Sequence, residues 1–538
     1  MTLEYRFMRG SARIAAVLVL AGCSSEDDRP DYYVPPGSTI PGERLPPRTE
    51  AFEEAPCWFP KPRARAVECG FLNVPEDRSL PSSRSIRLAV AMAYSSLAAP
   101  PADPVVYLEG GPGASPIEVF TRGLFDHILD ERDLILLDQR GTGHSEPALD
   151  CPELEQGGAS DPLQALRSCS ERFRMQGVAL EAYDTAANAA DVEELRVALG
   201  YPAWNVYGIS YGTRLGLTVL RDHPAGVRSL IVDGVLPLEV DLFVDGAANA
   251  ERSFSLVFDA CAAQASCAAA FPNLRDGFLA LIDELDQFPI PLSLDDGTEI
   301  LLRGSAVVRV LFLVLYSAEA LAFVPSVIGS ALAGDYEFFR RVLSDIGESS
   351  SVSYGMYYSV MCADEVAFAT PEQMAGAAAS VHPVFAKTFA TPAIFEECGT
   401  WNVAASPALE NEPVSSDVSS LVSSGDFDPV TPPRYGDLVA AQLERALSFT
   451  LADQAHGASV GACGARLVTG FLDRPSGGFD ASCADALSRP DFRTAALRRL
   501  PPIDFVTSRT LPLGWLAERA LQAARRRPAD WLSLRRAR

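Results

Sequence analysis

The chain has 538 residues, of which 48% are hydrophobic and 21% are charged. That composition supplies enough apolar surface for a large folded domain with insertions, and it excludes a chain that is disordered throughout. Acidic residues outnumber basic ones by 70 to 45, so the formal net charge is −25. Such a charge argues against a nucleic acid partner, because its phosphates would be repelled.

The first segment has the features of an export signal. Three arginines precede an apolar run over residues 14–21, which is too short to span a bilayer. The run ends in Leu-Ala-Gly-Cys and resembles a bacterial lipobox. This resemblance implies that residues 1–23 are a lipoprotein signal peptide, with lipidation at Cys23 and a membrane-anchored protein facing the periplasm or cell exterior. An ordinary secretory signal with a chance cysteine is the alternative.

The next segment differs in composition from the rest of the chain. Residues 24–56 are rich in proline and charge and show little apolar periodicity, so we predict a flexible linker there. The folded body is expected to begin near Cys57.

The remaining ten of the eleven cysteines fall into close couples along the chain. An even number of cysteines in an exported protein indicates disulfides, although sequence alone does not fix their connectivity. No metal-binding spacing such as C-x-x-C is present, so neither a metal site nor a cofactor is predicted. Pairing neighbours gives Cys57–Cys69, Cys151–Cys169, Cys261–Cys267, Cys362–Cys398 and Cys463–Cys483.

Residues 57–240 have the pattern of an α/β domain. Two segments, Val67–Val74 and Ser85–Tyr94, are predicted as antiparallel entry strands. Two continuous apolar runs, Val105–Leu108 and Leu134–Leu137, are typical of parallel strands covered on both faces. A helical pattern over Tyr183–Leu199 then leads into the next strand, which predicts a mostly parallel sheet flanked by helices.

The pattern becomes helical from 241 to 415, and we predict an inserted cap that covers the site. Within it, Ala306–Leu332 is strongly apolar and is expected to form a buried helical pair. Strand signals return in residues 416–500, at Ser419–Ser423 and Leu447–Leu451, as the second part of the sheet domain. The basic tail, residues 501–538, is interpreted either as a solvated helix or as a segment lying on an anionic membrane.

A Gly-x-Ser-x-Gly pattern joins a predicted strand to a predicted helix at Gly208–Gly212. This is the arrangement of a nucleophile elbow, in which a sharp turn exposes the Ser210 hydroxyl. A serine needs a base to accept its proton before it can attack a carbonyl. The backbone N–H of Tyr211, at the start of the helix, is predicted to bind the oxyanion.

A glycine-rich loop, Glu109-Gly-Gly-Pro-Gly113, follows an early strand. Glycine at such a loop allows a backbone N–H to approach a substrate closely. We predict that Gly111 supplies the second oxyanion donor, with Gly110 as the alternative.

The acid and the base are expected after the serine in chain order. His456 is the single histidine that follows Asp428. It is therefore the candidate base, and Asp428 is preferred over Asp426 as the carboxylate that orients it. Ser210, Asp428 and His456 together predict a catalytic triad.

These motifs, together with Asp138-Gln-Arg-Gly-Thr-Gly143 and Asp428-Pro-Val-Thr-Pro432, resemble the proline iminopeptidase and tripeptidyl aminopeptidase group of α/β-hydrolases. The similarity covers roughly residues 57–485. It implies an α/β-hydrolase fold with a helical cap, and a serine aminopeptidase that cleaves peptides at a free N-terminus through an acyl-enzyme. The long cap and the cysteine couples are similar to the secreted tripeptidyl branch. Glu109 replaces a histidine usual in the cytoplasmic iminopeptidases.

The resemblance also implies carboxylates that bind the substrate α-ammonium. Asp364 and Glu365, in the segment Met-Cys-Ala-Asp-Glu365, are the candidates, and the alternative is that they are ordinary surface acids. Activity on small esters, lactones or amides remains an open alternative function, and a non-catalytic binding protein is a third. The oligomeric state is left open.

Overall fold

The computed structural model describes residues 48–59, 65–120, 123–155, 161–346 and 352–494. The predicted signal peptide with Cys23, most of the predicted linker and the basic tail lie outside the described residues.

A nine-stranded sheet forms the centre of the protein, in the order β1-β2-β3-β5-β4-β6-β7-β10-β11. The first three strands and β5 pair in antiparallel fashion, and every later pair is parallel. A separate hairpin pairs β8 with β9. The strands are β1 Phe52–Ala55, β2 Val67–Pro75, β3 Ser85–Ala93, β4 Val105–Leu108, β5 Leu134–Leu137, β6 Trp204–Ile209, β7 Val227–Asp233, β8 Ile290–Ser293, β9 Glu299–Leu302, β10 Ser420–Gly425 and β11 Ala446–Leu451.

Helices connect and cover these strands. They are α1 Pro116–Phe120, α2 Asp126–Leu129, α3 Pro152–Glu155, α4 Pro162–Met175, α5 Thr185–Ala198, α6 Tyr211–Asp222, α7 Leu242–Ala263, α8 Ala265–Ala270, α9 Leu274–Gln287, α10 Gly304–Val314, α11 Ala318–Leu321, α12 Val324–Leu332, α13 Glu337–Ile346, α14 Tyr354–Val360, α15 Pro371–Ala378, α16 Pro383–Phe389, α17 Ala393–Trp401, α18 Pro433–Gln442, α19 Ala462–Asp473 and α20 Ser482–Ala486. A π-helical turn, Met361–Glu365, follows α14.

The apolar runs behave as their composition predicts. Every residue of β4 and of β5 is buried, because helices cover both faces of the parallel part of the sheet. The predicted mostly parallel sheet flanked by helices is confirmed. One boundary differs: β1 pairs with β2, yet it lies inside residues 24–56, the predicted linker. Its four residues gave too short an apolar pattern to be recognised.

The inserted segment is divided between two hydrophobic cores. The helices α7, α9, α10, α12, α13 and α16 share one core, which Phe427 and Ala455 from outside the insertion also enter. Another part of the insertion, including α14 and the π-helical turn, packs instead into the core of the main sheet. The run Ala306–Leu332 forms three short helices where we expected a pair, because Ser317 caps a new helix and Pro325 begins another. The hairpin of β8 and β9 was not predicted.

All five predicted cysteine couples are disulfides. The bonded pairs are Cys57–Cys69, Cys151–Cys169, Cys261–Cys267, Cys362–Cys398 and Cys463–Cys483. None of the helices in the described ranges is long and apolar enough to cross a membrane.

Candidate active site

The turn between β6 and α6 is a strained strand-to-helix elbow with Ser210 at its tip. Ser210 has φ 59° and ψ −127°, a conformation that side-chain-bearing residues rarely adopt. A Cβ on Gly208 would lie 2.1 Å from the carbonyl oxygen of Gly212, and one on Gly212 would lie 2.0 Å from that of Leu108. Only glycine therefore fits at either side of the serine, which explains the Gly-x-Ser-x-Gly spacing.

The elbow is fixed to the neighbouring strand by its backbone. The Ser210 N–H donates to the carbonyl of Asp233, the last residue of β7, at 3.0 Å. Tyr211 is the first residue of α6, so no carbonyl of its own helix accepts its N–H. The positive end of the helix dipole lies at the same point, which favours a negative charge there.

Asp428 and His456 form the hydrogen-bonded pair that the sequence predicts. The distance from Asp428 Oδ2 to His456 Nδ1 is 2.7 Å, and both side chains are buried. The backbone N–H groups of Val430 and Thr431 donate to Asp428 Oδ1, and the Thr431 hydroxyl donates to Oδ2. Four contacts thus hold the carboxylate in one orientation toward the imidazole.

The rival carboxylate has another partner. Asp426 Oδ1 accepts from Arg252 Nη2 at 3.1 Å, and its side chain is partly exposed. Arg252 also donates to the Asp426 carbonyl. These contacts direct Asp426 toward α7, which supports Asp428 as the partner of the histidine.

The imidazole of His456 is buried and has one nitrogen left over. Nε2 makes no hydrogen bond with any described residue, so no bond to the Ser210 hydroxyl is formed in this conformation. Burial lowers the pKa of His456, but the attraction of the neighbouring carboxylates, Asp428 first among them, outweighs it and the net shift is upward. With Nδ1–H directed to Asp428, Nε2 carries the lone pair that a general base requires.

The serine and the histidine approach the same two residues at the end of β7. Asp233 accepts the Ser210 N–H, and a Cβ placed on the next residue, Gly234, would lie 3.2 Å from His456 Cε1. From the other side, a Cβ on Gly110 would lie 3.2 Å from Ser210 Oγ. The glycine loop after β4 therefore faces the serine hydroxyl.

The two candidate donors of that loop differ in what they bind. The Gly110 N–H donates to the Glu109 carboxylate, with 2.8 Å between N and Oε1. This contact occupies Gly110 and favours Gly111 as the donor beside Tyr211. Glu109 itself is buried, and its Oε2 accepts from the Tyr107 hydroxyl at 3.0 Å.

The two acids predicted to bind a substrate ammonium lie inside the protein. Asp364 is 0% exposed and accepts hydrogen bonds from Ser406 and from the N–H and hydroxyl of Thr185. Glu365 is 2% exposed and is paired with Arg214, with the N–H of Leu242 on its other oxygen.

The expected anchoring role of Asp364 and Glu365 finds no support in these contacts. The physical reason is that the π-helical turn directs both carboxylates toward α5 and α6, where protein donors already occupy them. Glu365 fastens the inserted segment to the elbow helix α6, and Asp364 fastens it to the start of α5. Thr185 extends the connection, since its hydroxyl is 3.0 Å from the Tyr211 hydroxyl.

An aromatic side chain of the cap lies against the catalytic histidine candidate. The Tyr316 ring, just after α10, meets the His456 ring edge to face at 5.0 Å between centroids. Phe427 and Ala455, the neighbours of Asp428 and His456 in the chain, pack within the core of the cap. The acid and base loops thus pack against the cap, whereas the Ser210 backbone is bonded to the sheet.

Several residues of this site were not predicted. Arg214 and Asp233 carry no motif of their own, and Thr431 lies in the Asp428–Pro432 motif without a role assigned to it; each gains its role from a contact more than 20 residues away or across a turn. Arg214 gave a weak signal, because it is a charged residue one turn after Ser210 on a helix whose neighbouring residues are buried.

This fold, with its strand-to-helix elbow at Ser210, is the α/β-hydrolase fold. Residues 103–264 match the family model described as alpha/beta hydrolase fold, and residues 382–483 match the one described as TAP-like protein. The chain has the α/β-hydrolase fold, and its C-terminal part is similar to the TAP-like family model.

Curated relatives resemble parts of the chain. A tripeptidyl aminopeptidase of Streptomyces lividans is 30% identical over 198 residues, which are 33% of this chain and 36% of that protein. A probable proline iminopeptidase of Streptomyces coelicolor is 34% identical over 155 residues, covering 28% and 39%. The serine protease Hip1 of Mycobacterium bovis is 28% identical over 287 residues, covering 48% and 52%. The chain thus spans little more than a third of the length of the first of these relatives.

Proposed function

We propose that this protein is a serine peptidase that releases residues from the free N-terminus of peptides. The observation that carries the proposal is the strained Ser210 elbow beside the buried Asp428–His456 pair, whose Nε2 has no hydrogen-bond partner among the described residues. The named relatives are aminopeptidases and a serine protease, which favours a peptide bond as the target.

The reaction proceeds through two transfers. His456 Nε2 takes the Ser210 proton while Oγ attacks the scissile carbonyl, and the N–H groups of Tyr211 and Gly111 bind the oxyanion. His456 then gives the proton to the leaving amine as the C–N bond breaks, which leaves an ester on Ser210. Water, deprotonated by His456, hydrolyses that ester and restores the serine. These steps need no metal or cofactor.

The second candidate is the hydrolysis of small esters, lactones or amides. It is favoured by the same site, since an acyl-enzyme mechanism serves any activated carbonyl and the fold hosts many substrates. A requirement for a free N-terminus on the substrate is the feature that separates the two candidate functions. Peptidyl anilides with free and with acetylated N-termini, and short acyl esters, should therefore be compared on one preparation.

We expect anilides with a free N-terminus to be cleaved with the highest kcat/KM, and acetylation to reduce it strongly. Equal turnover of free and acetylated anilides, or faster turnover of esters, would contradict the aminopeptidase proposal. Ser210→Ala should abolish every activity. The matched control is Ser488→Ala, because Ser488 is exposed and should leave all activities unchanged. Labelling of Ser210 by a fluorophosphonate, with loss of fluoride, would identify the nucleophile directly.

We also propose that the protein is exported and anchored by lipid at Cys23. The five disulfides support export, since such bonds persist in oxidising compartments. Expression with an alkyne-bearing fatty acid should label the wild-type chain in the membrane fraction, and Cys23→Ser should remove the label. An unlabelled, secreted wild-type chain would contradict lipidation and leave export intact.

A further inference from the structure

A buried hydrogen-bond chain runs behind the serine and the histidine. The Asp233 carboxylate lies at its centre: Oδ2 accepts from the N–H of Ser459 at 2.7 Å and from its hydroxyl at 2.5 Å. The same Ser459 hydroxyl is 2.5 Å from the hydroxyl of Tyr207. Asp233, Ser459 and Tyr207 are all buried.

The direction of this chain follows from counting protons. Ser459 has one hydroxyl proton, and it donates that proton to Asp233. The Tyr207 hydroxyl must therefore donate to Ser459, so both hydroxyl protons run toward the carboxylate. The oxygen of residue 233 that faces Ser459 must therefore accept both contacts.

This hydrogen-bond chain connects the two halves of the catalytic site. Tyr207 lies on β6, three residues before Ser210, and Ser459 lies on the short helical turn Ala458–Val460, just after His456. Asp233 also accepts the Ser210 N–H through its backbone. One residue thus binds the nucleophile through its main chain and the histidine loop through its side chain.

We propose that Asp233 is a positioning residue that holds the serine elbow against the histidine loop. Its carboxylate, one residue before the Gly234 backbone that lies against the His456 ring, places a second negative charge beside the imidazole. The inference rests on the proposed serine hydrolase function. Its Oδ1 is buried without a hydrogen-bond partner among the described residues, so packing alone does not account for a carboxylate there.

Several ionisable groups face His456, and their contributions must be separated. Asp428 bonds it from the loop after β10, Glu109 acts from the end of β4, and Tyr316 covers it from the cap. The negative charge of Asp233 raises the pKa of His456 from the end of β7. Burial raises the pKa of Asp233 itself to about 6, so the carboxylate is charged above that pH.

Two variants separate charge from position. Asp233→Asn keeps an acceptor for Ser459 but removes the charge. We therefore expect the acid limb of the pH profile, where kcat/KM falls as His456 gains a proton, to move to lower pH. Ser459→Ala keeps the charge and the backbone N–H contact to Asp233, but it removes the hydroxyl that links Asp233 to Tyr207. We expect its kcat to fall by about 10- to 100-fold with KM nearly unchanged and the acid limb in place, because small displacements of reacting groups cost that much.

Tyr207→Phe supplies a third test, since it removes only the outer donor. It should lower kcat less than Ser459→Ala, and combining the two changes should add nothing further. The matched control is Asp138→Asn, because Asp138 is another buried carboxylate that accepts from a serine hydroxyl and from backbone N–H groups. It should leave the acid limb where it is.

An unmoved acid limb in Asp233→Asn together with wild-type kcat in Ser459→Ala would overturn the proposal. If Asp233→Asn does not fold, wild-type kcat in both Ser459→Ala and Tyr207→Phe would overturn it equally. Ser210→Ala, assayed in parallel, separates this outcome from failure of the proposed function. Activity that survives in that variant sinks the serine mechanism, whereas its loss leaves the Asp233 result to be judged separately.

Discussion

The guanidinium of Arg214 lies against the carboxylate of Glu365, with 2.5 Å between Nη1 and Oε1, and both side chains are 1% exposed. Arg214 stands on the elbow helix, and Glu365 belongs to the inserted segment. A second Arg214 nitrogen donates to the carbonyls of Asp364 and Glu410. This buried ion pair therefore fastens the insertion to the helix that begins at the nucleophile.

Glu365→Gln removes the charge opposite Arg214. Because the guanidinium would remain buried without a counter-charge, we expect the free energy of unfolding to fall by up to about 3–5 kcal/mol. Denaturant unfolding measures it. The control is Glu337→Gln in the exposed pair with Arg340, where the loss should stay below about 1 kcal/mol. A KM for free-amino substrates that rises in Glu365→Gln, with stability unchanged, would restore the ammonium-anchor interpretation.

The pH dependence of activity follows from His456. Its pKa is raised above the usual 6.5, and the base must be neutral to accept the Ser210 proton. Activity should therefore be lost as the pH falls through a midpoint above 6.5. Asp428→Asn should reduce kcat by about 10⁴-fold, as loss of the orienting carboxylate does in serine triads. Asp426→Asn is the control, and an equal loss there would mean that the acid has been misassigned.

The contact of Tyr316 with His456 gives a test of the cap. Tyr316→Phe keeps the ring and should retain the acid limb of kcat/KM. Tyr316→Ala admits water to the imidazole, and because burial lowers the pKa of His456, relief of burial should move that limb to higher pH. Pre-steady-state kinetics with a peptidyl anilide should show slower acylation in the alanine variant. Identical pH profiles in all three proteins would exclude a role for the cap at this point.

The disulfides differ in the length of chain they close. Cys362–Cys398 spans 36 residues and holds the π-helical turn, whereas Cys261–Cys267 spans 6. Replacing both cysteines of the longer bridge by alanine should cost about 4 kcal/mol of unfolding free energy, against about 2 for the shorter one, on the chain-entropy model. Chemical unfolding of both double variants measures the difference. The reverse order would show that native-state contacts, not loop entropy, dominate.

Local sequence predicted the elements that depend on nearest neighbours. The runs Val105–Leu108 and Leu134–Leu137 form strands with those same bounds, because an unbroken apolar segment between turns is stable only when both faces are covered. The Gly-x-Ser-x-Gly spacing predicted the elbow for a similar reason, since two backbone approaches close to 2 Å exclude any side chain there. The single histidine after Asp428 predicted the Asp428–His456 contact.

The side-chain partners across the fold were decided only by tertiary structure. Glu365 and Asp364 look like free acids in the sequence, yet packing of the inserted segment turns them toward Arg214 and Thr185. Asp233 is an ordinary strand end until the histidine loop delivers Ser459 to it. Such roles depend on which distant segments meet, and a linear pattern records periodicity along the chain but not contacts between strands that pair out of order.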